Sequence, residues 1–103
     1  MNPTPQRAPE LVDPTIESDY WRAQFADEPY YIAGRAFEHY EPAYRAGYEG
    51  RVKYDGRPFD EVEKELASDY LHYADDNAWD EVRPATRAAW DRIDERLRGL
   101  TGN

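Results

Sequence analysis

Residues 36–51 read AFEHYEPAYRAGYEGR, and residues 78–93 read AWDEVRPATRAAWDRI. The second stretch restates the first at a distance of 42 positions. Ala36, Pro42, Ala43, Arg45 and Ala46 return as Ala78, Pro84, Ala85, Arg87 and Ala88. Phe37, Glu38, Tyr48 and Glu49 return conservatively as Trp79, Asp80, Trp90 and Asp91. Between them, Phe59-Asp60-Glu61-Val62 repeats the opening aromatic–acid word. Counting from each opening aromatic gives three stripes at helical spacing: Phe37, Tyr40, Tyr44, Tyr48; Phe59, Val62, Leu66, Tyr70, Tyr73; and Trp79, Val82, Thr86, Trp90, Ile93, Leu97. At 100° per residue each set covers one face of a helix, as burial against neighbouring helices requires.

The segment ends agree with three helices. Pro58 suits a first helical position, where its missing N–H costs nothing. Asn77 with Asp80 makes a short capping box, and Gly99 offers a stop. Asp55-Gly56 and Asp75-Asp76-Asn77 are the breaks between segments. Pro42 and Pro84 fall inside two of the helices, where a proline loses one backbone bond and crowds the preceding turn. A bend or break is expected at both.

Outward from this repeat, residues 1–17 hold Pro3, Pro5, Pro9 and Pro14 with few apolar groups, and read as a disordered arm. Ser18 is the expected cap of a short helix carrying Trp21 and Phe25, ended by Asp27-Glu28-Pro29. Tyr30-Tyr31-Ile32 then forms an aromatic hook. The expected fold is all-α: a three-helix antiparallel bundle over residues 18–100, covered by the short helix and hook, with 101–103 as a tail.

Charge narrows the function. Asp and Glu number 22 against 13 Lys and Arg, a formal net charge of −9. That field repels nucleic-acid phosphate and anionic lipid, and no basic cluster stands out along the chain. There is no Cys, which excludes thiol nucleophiles, thiolate metal sites and disulfides. No apolar run has the length of a signal sequence or a membrane span, so a cytoplasmic protein with no membrane partner is expected.

Catalytic signatures are lacking. Ser18 and Ser68 are the only serines, and His39 and His72 stand in no pattern with them. No glycine-rich phosphate loop occurs. Glu61, Glu65, Asp69 and His72 follow helical spacing beside the second stripe. Asp69-x-x-His72 echoes the carboxylate-x-x-His pair of di-iron bundles, though ligands from other helices are missing. Tyr30, Tyr31, Tyr44, Tyr48 and Trp90 exceed what a chain of 103 residues needs to bury, and are the candidate partner-binding set.

Five spaced words carry a resemblance: Asp19-Tyr20-Trp21-Arg22, Glu28-Pro29-Tyr30-Tyr31, Tyr40-Glu41-Pro42-Ala43-Tyr44-Arg45 with Gly47-Tyr48-Glu49, Gly56-Arg57-x-Phe59-Asp60-Glu61-Val62-Glu63, and Ala85-Thr86-Arg87-x-Ala89-Trp90. Together, over about residues 18–95, they resemble a group of small uncharacterised bacterial proteins. The resemblance implies a stress-associated role and transfers no activity. Pro58 departs from it, standing where a Ser cap is expected. The resulting expectation is a non-enzymatic helical interaction module without a cofactor, associating with an unknown protein or with itself through aromatics. The alternative is a metal- or small-ligand-binding bundle using the acidic and histidine stripe.

Overall fold

Asp13 lies in extended backbone, and its carboxylate accepts from the backbone N–H groups of Thr15 and Ile16. Pro14 follows at the start of the helix, where no N–H is needed. These two residues open α1, Pro14–Gln24, which tightens into a 3-10 turn over Phe25–Asp27. α2 spans Phe37–Lys53, α3 Phe59–Tyr73 and α4 Trp79–Thr101. This computed structural model describes residues 12–101, and among them there is no strand and no helix long and apolar enough to cross a membrane.

The first helix starts earlier than the sequence suggested. Asp13, not Ser18, is its cap, and residues 12–17 are structured where an arm was expected. The reason is burial: Val12 is tucked into the core, and Glu17 is fully buried. Arg92 Nε and Arg96 Nη2 on α4 donate to the Glu17 carboxylate at 3.0 and 3.1 Å, which compensates the buried charge. The arm expected over 1–11 and the tail over 102–103 lie outside the described residues, while Thr101 still belongs to α4.

The 42-residue repeat has a direct spatial meaning. His39 meets Glu81, Ala43 O accepts from Thr86 Oγ1 at 2.9 Å, and Arg51 meets Asp94. A β-carbon on Gly47 would strike Thr86 and Ala89. Partner numbers rise together, so the two repeated helices, α2 and α4, lie parallel and in register. α3 runs against them, with Leu66 under Gly50, Phe59 against Trp90, Glu63 paired to Arg83 and Tyr70 against Trp79. α1 runs against α2 on the other side, where Ser18 reaches Glu41, Trp21 stacks on Tyr44 at 4.5 Å and Phe25 meets Phe37. The architecture is therefore a central parallel pair flanked by two antiparallel helices. α1 is a full member of the packing, which the expectation of three helices with a cover understated.

Neither proline breaks its helix: Pro42 and Pro84 both lie inside unbroken segments. The carbonyls the prolines leave without a helical partner belong to Glu38 and Asp80, both exposed residues in the first turns of their helices. Pro58 precedes α3 as its cap, one place before the expected position. Asn77 stands one place outside the cap position expected of it: its side-chain oxygen accepts from the Trp79 N–H, while the carbonyl of Ala78 accepts the first helical bonds from Glu81 and Val82.

Tyr40, Tyr44 and Tyr70 bury their rings, and their hydroxyls find partners inside the fold. Tyr40 Oη accepts from the Ile32 N–H, and Tyr70 Oη accepts from the Ala78 N–H, each pinning a loop. The Tyr30 and Tyr44 hydroxyls pair at 2.7 Å. The Trp21 indole N–H is buried with no partner among the described residues.

Candidate binding cleft

The acidic and histidine stripe of α3 is not assembled into a site. Glu61 is exposed and paired with Arg57. Asp69 accepts from Lys53 and from the Tyr54 hydroxyl. Glu65 and His72 are exposed, and His72 Nδ1 faces the Ser68 carbonyl of its own helix. Among the described residues no three His, Asp or Glu side chains are placed to hold a metal ion.

Of the aromatic set expected to meet a partner, three members are interior and two half-buried in the folded chain. Tyr44, Tyr48 and Trp90 are at most 4% exposed. Tyr30 and Tyr31 are half-buried and pack on Tyr40. The physical reason is α1: Trp21 and the hook cover the face that the three stripes alone would leave open. Burial also raises the Tyr30 and Tyr44 hydroxyls above their ordinary range, and pushes Tyr48 up to about 12.

What folding does assemble is a cleft of about 480 Å³ at the α2–α3 turn. Arg51 from the end of α2, Arg57 from the turn, and Arg87 and Arg98 from α4 line it. Phe59 and Trp90 form its aromatic wall, and Asp91 and Asp94 border it. The turn is possible because Gly56 takes φ +87°, in the left-handed region that other residues avoid. Four of the chain's 13 cationic side chains thus meet in one concavity of a molecule that carries −9.

Each arginine is held in place. Arg51 Nε donates to Asp94 at 2.8 Å and its Nη1 to Asp55 at 2.6 Å, with the guanidinium 5.9 Å from the Trp90 ring. Arg98 Nε donates to the other Asp94 oxygen at 2.7 Å. Burial alone would raise the Asp94 carboxyl, but the bonds from Arg98 and Arg51 outweigh it and hold the group below its usual range. Arg87 pairs with Asp91 and lies 4.9 Å over the Phe59 ring. The repeat equivalent, Arg45, pairs with Glu49 and lies 4.0 Å over Tyr73 at the other end of α3. Each repeated helix thus lays its arginine over one aromatic end of α3.

The opposite end of the helices carries the reverse charge. A cleft of about 370 Å³ there is lined by Glu38, Glu41, Asp75 and Asp76 with His39 and Tyr73. Its histidine is engaged, because His39 Nε2 lies 2.8 Å from Glu81, which also takes a bidentate pair from Arg35.

Reading along the chain missed the arginine cleft, since its four cations are spread from position 51 to position 98. The available signal was the repeat, which sets Arg87 beside Trp90 and Asp91 in register with α2. No family model, no curated protein and no solved structure matches this chain.

Proposed function

We propose that this chain is a non-enzymatic helical interaction module whose recognition surface is the arginine cleft. The observation that carries the proposal is the concentration of four arginines and an aromatic wall in one concavity of an otherwise acidic molecule. Guanidinium groups over aromatic faces are a preferred composition of recognition sites. The cleft presents cations and rings but no nucleophile–base pair, which suits binding and not turnover. A stress-associated role within the group of small bacterial proteins that share its spaced words is part of the same proposal.

The burial of Tyr44, Tyr48 and Trp90 favours a partner other than a second copy. The large apolar side chains left exposed among the described residues are Ile16 and Tyr20 on α1, Ile32 in the hook and Leu71 on α3. They lie on three separate elements, whereas a stable interface needs a contiguous apolar centre.

The test is capture from a bacterial extract with the wild-type chain, with Arg57→Ala/Arg98→Ala, and with Arg22→Ala as a control remote from the cleft. A partner retained by the wild type and Arg22→Ala but lost by the double variant is the expected result. Identical capture by all three removes the cleft as the recognition surface, and no specific capture by the wild type removes the interaction reading.

A further inference from the structure

Glu41 on α2 stands where two clefts meet. The first, of about 360 Å³, lies between the start of α1 and the middle of α2, and Ser18, Asp19, Glu41, Arg45, Tyr48 and Glu49 line it. The second is the acidic cleft at the end of α3, which Glu41 also lines, together with Asp75 and Asp76. Neither shares a residue with the arginine cleft. The charges here are not cancelled. Arg45 pairs with Glu49 and Arg22 with Glu38, whereas Asp19, Glu41, Asp75 and Asp76 make no ion pair with a described residue. The Glu41 carboxylate is half-buried, and its one hydrogen bond among the described residues comes from the Ser18 hydroxyl at 3.3 Å.

The first cleft also holds an unmet polar group. Tyr48 is 4% exposed, and its hydroxyl has no hydrogen-bond partner among the described residues, unlike those of Tyr40, Tyr44 and Tyr70. The oxygen is not sealed in, since the fully enclosed side-chain atom without a partner is Trp21 Nε1; it therefore reaches the surface in the cleft that Tyr48 lines. Burial, then Glu49 and Glu41, push the Tyr48 hydroxyl up to about 12, so at neutral pH it is an uncharged phenol that both donates and accepts. It is placed to accept from an entering donor.

The arrangement of the carboxylates selects the donor. A hard divalent ion needs several acidic oxygens around one point, and among the described residues no three acidic or histidine side chains are so placed. Ammonium groups spaced along a chain match carboxylates that are spread out. One ammonium on one open carboxylate gains little in water. Two or three joined by short alkyl links act together, because each later contact is intramolecular. The last carbonyls of α3 add to the negative potential of the second cleft, and the α1 N-terminus beside the first is already closed by the Asp13 carboxylate. A volume of about 360 Å³ falls within the range of small-molecule sites, and the net charge of −9 draws cations toward the surface.

We infer that the α1–α2 cleft binds a linear organic polyamine, with one ammonium held by the Glu41 carboxylate and the Tyr48 hydroxyl and the chain extending past Glu41 toward Asp75 and Asp76.

The experiment is titration calorimetry of the full chain at low ionic strength with spermidine, butylamine and magnesium chloride, matched in ionic strength. Saturable binding of spermidine at one site per chain is expected, with butylamine weaker by about tenfold or more. Glu41→Gln should weaken spermidine by about tenfold or more. Glu65→Gln removes the same charge from an exposed position that lines neither cleft, and should match the wild type. Tyr48→Phe deletes only an unbonded oxygen, so it should keep the wild-type thermal melt and weaken spermidine by about threefold or more. Equal weakening by Glu41→Gln and Glu65→Gln overturns the site in favour of diffuse attraction by the net charge. Magnesium bound at the same stoichiometry and lost in Glu41→Gln overturns the ammonium assignment. Spermidine bound by Tyr48→Phe as tightly as by the wild type places the site elsewhere, and no binding by the wild type removes it.

Discussion

The substitution Gly47→Ala isolates the contact on which the fold turns. Gly47 sits in the middle of α2, and an alanine there would normally stabilise the helix by about 1 kcal/mol. The packing of α2 on α4 reverses that sign. A β-carbon at Gly47 would stand 2.3 Å from the Thr86 carbonyl oxygen and 2.8 Å from the Ala89 β-carbon. The first of these is helix backbone, which cannot rotate away, so the two central helices must separate. Overpacking of this kind costs about 1–3 kcal/mol, and a backbone clash belongs at the upper end. The net expectation is a loss of about 2 kcal/mol, which is a fall in Tm on the order of 10 °C for a chain this size. Two other glycines serve as comparators. At Gly50 the added carbon would meet Leu66 Cδ2 at 2.4 Å, the far end of a flexible side chain, so propensity and crowding should nearly cancel. At Gly99 it would meet nothing within 4 Å, so Gly99→Ala should stabilise by roughly 0.5–1 kcal/mol. Urea denaturation followed by far-ultraviolet circular dichroism gives all three values. A Gly47→Ala midpoint at or above wild type would refute the close parallel packing of the repeated helices.

Glu17→Ala should cost about 3 kcal/mol, because the carboxylate is fully buried between Arg92 and Arg96; partial exposure of the two arginines keeps the loss at the low end for a broken buried pair. A loss below about 1 kcal/mol in the same urea assay would show that α1 is not anchored there. Alkaline pH should unfold the chain through its buried tyrosines. Tyr30, Tyr44 and Tyr48 are raised above the ordinary 10.0, chiefly by burial, so the unfolded chain releases these protons first while the folded chain keeps them. Stability is intact below pH 10 and falls as pH rises toward about 12, by roughly 1.4 kcal/mol per pH unit for each such tyrosine. Phenolate absorbance rising together with loss of ellipticity checks this, and full tyrosine ionisation with the helices intact would contradict it. Sedimentation at low and high salt should show a monomer to hundreds of micromolar, since Tyr44, Tyr48 and Trp90 are interior; a dimer strengthened by salt would restore the aromatic self-association expected from the sequence.

Periodicity made the helices legible where each element carries its own pattern. The stripes Phe59–Tyr73 and Trp79–Leu97 lie on single buried faces, and the 42-residue repeat anticipated two equivalent helices. It did not indicate that they pack on each other in register, because that depends on Gly47 letting the α4 backbone approach. α1 was obscured by composition. Pro14 looked like part of a proline-rich arm, although Asp13-Pro14 is itself a helix start once Val12 and Glu17 are known to be buried. The burial of Glu17 could not be anticipated from its neighbours, since its partners Arg92 and Arg96 lie on the last helix. Pro42 and Pro84 do not end their helices, because near the start of a helix and close to solvent one missing backbone bond is tolerated. The arginine cleft was invisible for the same reason as Glu17: its cations come from three separate places in the chain and converge only when α2, the Gly56 turn and α4 are brought together.

The central functional claim is that the arginine cleft is where this molecule binds its partner, and backbone and arginine-side-chain shift mapping of the isotope-labelled chain titrated with the partner captured from extract tests it most directly. Shifts that saturate together and concentrate on Arg51, Gly56, Arg57, Phe59, Arg87 and Arg98 are the expected result. Shifts spread over the exposed arginines, or centred on Arg35 and His39 at the acidic end, would contradict it.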